Sequence, residues 1–194
     1  MSRFNRNMLR EARENYENDA KMRARVRLIF EIAATLALAA LVAVCFFQSV
    51  IMQESSMEPT ISVGDRFFIN MISYRIGDPQ RGDIVVFKTN GSDEAALHIR
   101  RIIGLPGETV QIVNGRVLVD GATLKEAGDF PTIVNPGAAE TPVTLETNQY
   151  FVLGDNRNNS EDSRFGDIGI IKKEYLVGKL WFTVAPLKKL GFFR

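Results

Sequence analysis

The sequence predicts a mainly β domain that follows a single N-terminal transmembrane helix. Two observations carry this prediction: the run from residue 28 to residue 52 is almost entirely apolar, and the chain beyond it consists of short β-branched segments separated by turn residues. The chain has 194 residues, of which 45% are hydrophobic and 24% charged. That is room for one folded domain and an anchor, and the composition excludes a wholly disordered protein.

The apolar run is long enough to cross a bilayer, because about 20 helical residues span a hydrocarbon core ~30 Å thick. A buried core helix should carry a polar stripe, which is missing between Ile32 and Phe47. A cleaved export signal should end in small residues, whereas Phe46-Phe47-Gln48 occupies that place. We therefore expect a retained transmembrane helix at 28–52.

The charges of the chain are unevenly distributed around this run. Residues 1–27 hold eight Lys/Arg against four Asp/Glu, although the whole chain carries only +1. Because Arg23, Arg25 and Arg27 directly precede the run, we expect a cytoplasmic basic head at 1–27 and an extracytoplasmic domain at 53–194. This domain is slightly acidic, so we expect a single-pass cell-membrane protein that contacts lipid and does not bind nucleic acid.

Five segments beyond the run are typical of β-strands, since they are β-branched and bounded by turn residues. They are residues 83–87, 98–103, 109–112, 116–119 and 150–153. Asn114-Gly115 separates the third from the fourth and favours the tight turn of a β-hairpin. The stretch at about 121–148 is rich in Gly, Pro, Ala and Thr and predicts an inserted loop or small subdomain.

The counts of cysteine and histidine argue against a disulfide or a metal site. The chain has one cysteine, Cys45, and one histidine, His98. A single cysteine forms no internal disulfide, and one residue of each kind is a poor zinc ligand set. We expect no metal and no other cofactor.

Four groups of residues beyond the apolar run point to chemistry. They are Ser56-Met57-Glu58-Pro59-Thr60 with Gly64-Asp65, then 81–87, then 100–108, and finally 154–164, which begins Gly-Asp-Asn-Arg. Taken alone, Ser56 is best read as a turn or capping serine. In order and spacing, however, the four groups closely resemble the type I signal peptidases, the bacterial leader peptidase family, in a Gram-positive-like form.

This resemblance implies a β-rich catalytic domain that removes signal peptides from exported preproteins as a serine endopeptidase, with a Ser/Lys dyad. By position it implies that Ser56 is the nucleophile and that Ser160 orients the general base. It also implies a supporting network of ion pairs and hydrogen bonds formed by Asp155, Arg157, Asp162 and Arg164. The pockets for small substrate residues would be lined by Val50, Met52, Ile61 and Ile99.

The place of the family's catalytic lysine is held by Arg100 in this sequence. Burial lowers the pKa of a lysine by about 3–5 units, so that its amine can accept a proton. The pKa of arginine lies far above that of lysine, and the same shift leaves the guanidinium charged near neutral pH. Arg100 therefore occupies the catalytic position without being an evident base.

His98 is a substitute base, because residues 98 and 100 of one strand point to the same face and imidazole titrates near neutrality. Two residues along a strand are ~6.6–7 Å apart, so direct proton transfer needs a rotamer change or a water. A second departure is Glu54, two residues before Ser56, in a place where relatives carry Gly or Ser. A carboxylate repels a developing oxyanion, so we expect Glu54 to turn outward.

Two functions remain open from the sequence. The intact Ser-Met-x-Pro-Thr group favours an active signal peptidase. Arg100 favours a catalytically impaired homologue that binds signal-peptide-like or pilin segments as an assembly factor.

Overall fold

The computed structural model describes residues 3–89 and 95–193, with side chains at 20–41, 48–89 and 95–193. Cys45 lies outside the residues whose side chains are described. The chain divides into two units, Met1–Cys45 and Phe46–Arg194.

The first unit is helical. Helix α1 covers Arg3–Phe46, and large apolar side chains in its described part are exposed to solvent, among them Leu28, Ile29, Phe30, Leu36 and Leu38. Among the described residues, no helix combines the length and the apolar character required for a membrane span.

The helix ends earlier than the apolar pattern suggested. Strand β1 begins at Phe47 and runs to Ile51, so the last residues of the predicted 28–52 helix are extended instead. The reason is tertiary: β1 pairs along its whole length with strand β2, Arg66–Asn70, which starts well beyond the apolar run. Hydrophobicity alone does not distinguish a helical segment from a buried strand.

The second unit is built from β-strands, and the prediction of a mainly β domain is confirmed. After β1 and β2 come β3 Ile84–Lys88, β4 Leu97–Gly104, β5 Thr109–Val113, β6 Arg116–Val119, β7 Ala122–Thr123, β8 Val143–Thr144, β9 Gln149–Leu153, β10 Ile171–Lys172, β11 Leu176–Ala185 and β12 Gly191–Phe192. Short helical segments are α2 Ser73–Ile76 and the 3₁₀ turns Gly137–Glu140, Lys173–Tyr175 and Leu187–Lys189.

The strands form two antiparallel sheets. The larger has the order β1-β2-β11-β3-β4-β9-β10, with β12 paired to β11, and the smaller has the order β7-β6-β5-β8. The pairs that hold the larger sheet together join strands far apart in the sequence, such as β2 with β11 and β4 with β9.

The hairpin predicted at Asn114-Gly115 is confirmed. Both residues have positive φ, 52° and 74°, as a two-residue turn of the primed type requires. A Cβ on Gly115 would lie 2.3 Å from the side chain of Thr132, so this turn also needs glycine for space. The stretch 121–148 returns to the small sheet through β7 and β8.

The core of the domain consists of three apolar clusters. One of them contains Met57, the residue after Ser56, and Ile99, the residue before Arg100. Because both residues are buried, they anchor the serine loop and strand β4 against the same interior.

Candidate active site

Ser56 lies in the loop that joins β1 to β2. The loop is anchored by Met57 and Ile61, which are both fully buried, and by a backbone hydrogen bond from Ile61 N to Met57 O at 2.9 Å. Ser56 itself is 3% exposed. A buried hydroxyl needs a polar partner, and the sheet supplies one.

That partner is Arg100 on β4, a fully buried residue. Its Nη1 donates to Ser56 Oγ at 2.7 Å and to the Ile99 carbonyl at 2.7 Å, and its Nε donates to the Glu161 carbonyl at 2.7 Å. A guanidinium has donors and no acceptor. Arg100 therefore holds the serine oxygen as a hydrogen-bond donor and cannot receive the serine proton through this contact.

The expectation that Glu54 turns outward was wrong. Glu54 faces Arg100 with both carboxylate oxygens, at 3.0 Å from Oε1 to Nη1 and 3.1 Å from Oε2 to Nη2. A buried guanidinium without a counter-ion is costly, and this cost outweighs the advantage of a solvated carboxylate. The partial burial of Glu54 raises its pKa, but its contact with His98 and its hydrogen bonds and ion pair with Arg100 prevail and lower the pKa to about 2.

His98 lies on the same face of β4 as Arg100, as expected, since both contact Glu54. Its Nδ1 is buried and lies 3.5 Å from Glu54 Oε1. Among the described residues, this nitrogen has no hydrogen-bond partner. The His98 ring packs against Phe87 on β3, with the ring centroids 5.8 Å apart. Glu54 Oε1 thus faces both His98 and Arg100, and Arg100 in turn contacts Ser56.

The four predicted supporting residues are all buried and ion-paired. Arg164 contacts both oxygens of Asp162 at 2.8 Å, and Arg101 contacts both oxygens of Asp155 at 2.8 and 2.6 Å. Arg157 forms an ion pair with Glu126. Each of these four buried charges therefore has an oppositely charged partner.

The same loop holds the backbone around the serine. Asn156 N donates to the Ser56 carbonyl at 3.0 Å, and the Asn156 side chain donates to the Ser55 carbonyl at 3.1 Å. Asn159 Nδ2 donates to Ser55 Oγ at 3.0 Å. Neither asparagine was predicted to have a role, although Asn156 belongs to the Gly-Asp-Asn-Arg group and Asn159 follows it closely.

Ser160 and Arg100 share a hydrogen-bond acceptor, and no direct hydrogen bond joins them among the described residues. The Ser160 hydroxyl donates weakly, at 3.4 Å, to the Glu161 carbonyl, and this carbonyl also accepts from Arg100 Nε. The connection between Ser160 and the base position therefore runs through the Glu161 carbonyl.

The four residues predicted as substrate-pocket walls come together in space. They belong to the apolar cluster that contains Met57 and are no more than 9% exposed: Val50, Met52, Ile61 and Ile99. Met57, which follows Ser56, and Ile99, which precedes Arg100, therefore pack in the same apolar cluster.

A nucleophilic serine is usually activated by an adjacent base, and the group adjacent to Ser56 here is the buried guanidinium of Arg100. Residues 25–185 match the family described as "Signal peptidase, peptidase S26". The chain belongs to this family of signal peptidases.

Individual relatives are similar over much of the chain. The probable signal peptidase I-2 of Synechocystis sp. is 44% identical over 71% of this chain, which spans 62% of that protein. Signal peptidase I T of Bacillus subtilis is 34% identical over 94% of this chain and 98% of that protein. A crystal structure of a signal peptidase I from Enterococcus faecalis is 31% identical, with a TM-score of 0.41, over 54% of this chain and 97% of that one.

Proposed function

We propose that this chain is a membrane-bound serine endopeptidase that removes signal peptides from exported preproteins. The observation that carries the proposal is the 2.7 Å contact between Ser56 Oγ and Arg100, the residue at the base position of the family's pattern. A surface serine in a turn would require neither burial nor a buried cation as its partner.

In this proposal Ser56 Oγ attacks the carbonyl carbon of the peptide bond that follows the signal peptide. The serine O–H bond breaks, the new amino terminus leaves with a proton, and water later hydrolyses the acyl-enzyme. Arg100 assists by charge, because a fixed guanidinium next to Oγ favours the alkoxide form of the serine. Because Arg100 has no acceptor, the proton that Ser56 loses is carried away on the nitrogen of the departing amine.

The remaining predicted residues have structural tasks in this mechanism. Ser160 supports the Glu161 carbonyl that orients Arg100, while Asp155, Arg157, Asp162 and Arg164 keep the loop around Ser56 rigid. Bulky residues line the proposed substrate pockets, namely Val50, Met52, Ile61 and Ile99. Their bulk favours small substrate side chains next to the cleaved bond.

We further propose that the apolar stretch of α1 anchors the protein in the cell membrane with residues 1–27 in the cytoplasm. Signal peptidases of this family are membrane-associated. Support comes from the basic residues Arg23, Arg25 and Arg27 and from the exposed apolar side chains that follow them. The catalytic domain would then act on signal peptides at the extracytoplasmic face of the cell membrane, next to lipid.

The two adjacent serines provide the test. Ser56→Ala should abolish cleavage of a purified preprotein, leaving at most the residual rate that binding and oxyanion stabilisation support. Ser55→Ala is the matched control, because the Ser55 hydroxyl contacts Asn159 rather than Arg100, and it should cost less than about tenfold. Equal losses in both variants, or no loss in either, would exclude Ser56 as the nucleophile.

A further inference from the structure

Glu54 and Arg100 form one ion pair, although they are 46 residues apart in the sequence. The contact joins both carboxylate oxygens to both terminal guanidinium nitrogens. Two parallel hydrogen bonds of this kind fix the plane of the guanidinium as well as its distance. The direction in which Arg100 Nη1 points at Ser56 is therefore set partly by Glu54.

The charged groups near position 100 differ in whether they contact Arg100 or are paired with one another. Glu54 is in direct contact with Arg100, and His98 faces the same carboxylate at 3.5 Å. The ion pairs Arg164–Asp162 and Arg101–Asp155 in the neighbouring loop and strand are each compensated internally. Glu54 is thus the carboxylate that balances the charge at position 100.

Resting on the function proposed above, we propose that Glu54 fixes both the position and the charge of residue 100, so that an amine at position 100 takes the proton of Ser56 more readily when position 54 carries no carboxylate. Glu54 is then a positioning residue, and the identities of residues 54 and 100 are functionally coupled.

The physical reason is a competition between burial and charge pairing. Full burial lowers the pKa of a lysine by about 3–5 units, whereas an opposite charge within ~4–6 Å favours its charged form by about 1–3 units. A lysine at position 100 therefore has a higher pKa next to Glu54 than next to a neutral residue. Between those two states, the fraction of neutral amine near pH 7 differs by about 10- to 1000-fold.

The test uses four proteins in detergent micelles: the natural chain, Arg100→Lys, Arg100→Lys/Glu54→Gln, and the control Arg100→Lys/Glu58→Gln. The control removes a carboxylate from the same loop. Each protein is labelled with ¹³C-lysine, and the lysine signal that is absent from the natural chain is followed by NMR from pH 5 to pH 11. Preprotein cleavage is measured on the same samples.

We expect the titration midpoint of Lys at position 100 to lie about 1–3 pH units lower in Arg100→Lys/Glu54→Gln than in Arg100→Lys. The control should titrate like Arg100→Lys. At neutral pH, cleavage should be at least about tenfold faster in the double variant without Glu54 than in Arg100→Lys.

Equal midpoints with and without Glu54 would overturn the inference. If Glu54→Gln prevents folding, Arg100→Lys/Glu54→Gly provides a second background without the carboxylate. Midpoints that separate while none of the four proteins cleaves would leave the coupling standing and would count against the proposed peptidase activity instead. The two proposals therefore fail in different measurements.

Discussion

Arg100 donates a hydrogen bond to each of its polar neighbours, and this decides how the residue can act. Its contacts to Ser56, Ile99 and Glu161 all use N–H groups. A group with only donors can stabilise a negative oxygen but cannot remove a proton. This geometry therefore fits a hydrogen-bond donor to the serine oxygen and does not fit a general base at position 100.

Glu54 also makes the stability of the protein depend on pH. Its pKa is about 2 in the folded protein, against an ordinary value of 4.5. A lowered pKa gives a stabilising contribution that is complete above about pH 4.5 and disappears as the pH falls through about 2. The ion pair with Arg100 should therefore weaken within this window.

We predict that Glu54→Gln reduces the free energy of unfolding near pH 6 by about 1–2 kcal/mol, after allowance for the 40% exposure of the side chain. The difference from the natural chain should shrink as the pH approaches 2. Urea unfolding can be followed through the fluorescence of the single tryptophan, Trp181. Glu58→Gln serves as the control, and a pH-independent difference for Glu54→Gln would contradict the assignment.

At the scale of elements, the serine loop depends on a close approach of residues 154–160. A Cβ on Gly154 would lie 2.5 Å from the Ser56 carbonyl oxygen and 2.1 Å from Ser160 Oγ. A contact of that length with backbone cannot be relieved by a side-chain rotation. The loop that carries Ser56 must shift when position 154 gains a methyl group.

We predict that Gly154→Ala lowers the rate of preprotein cleavage by about 100-fold, because displacements of about 1 Å at a reacting group have effects of this size. Gly166→Ala is the matched control, since a Cβ there has no atom within 4 Å, and it should retain activity. The cleavage rate and the thermal unfolding midpoint of both variants provide the check. A fully active Gly154→Ala would show that the close approach is dispensable.

The strands divide into those that local sequence predicts and those that it does not. The five predicted segments and the Asn114-Gly115 hairpin agree with the structure within one or two residues, because they combine β-branched residues with clear turn signals. Strand β1 was missed because its residues continue the apolar run. Strands β2 and β11 were also missed, and the pairing between them, which joins distant segments, was not predicted either. Long-range pairing leaves little trace in a local pattern.

The proposed membrane topology of the protein can be tested with reporter fusions. A reporter fused after residue 194 should be active only in the exported compartment, because Arg23, Arg25 and Arg27 keep the N-terminus in the cytoplasm. The same reporter fused before residue 1 is the control and should be active only in the cytoplasm. Cytoplasmic activity of the C-terminal fusion would contradict the topology.

Short motifs and local periodicity were enough to predict the family, the mainly β class and the segment that carries the serine. They also revealed an arginine at the place where the resemblance implies a lysine. The partners of this arginine became visible only in the folded chain, since strand pairing and burial bring Ser56, Glu54 and Arg100 into contact. A buried guanidinium requires a counter-ion, and that requirement brought Glu54 inward against the expectation drawn from its sequence position.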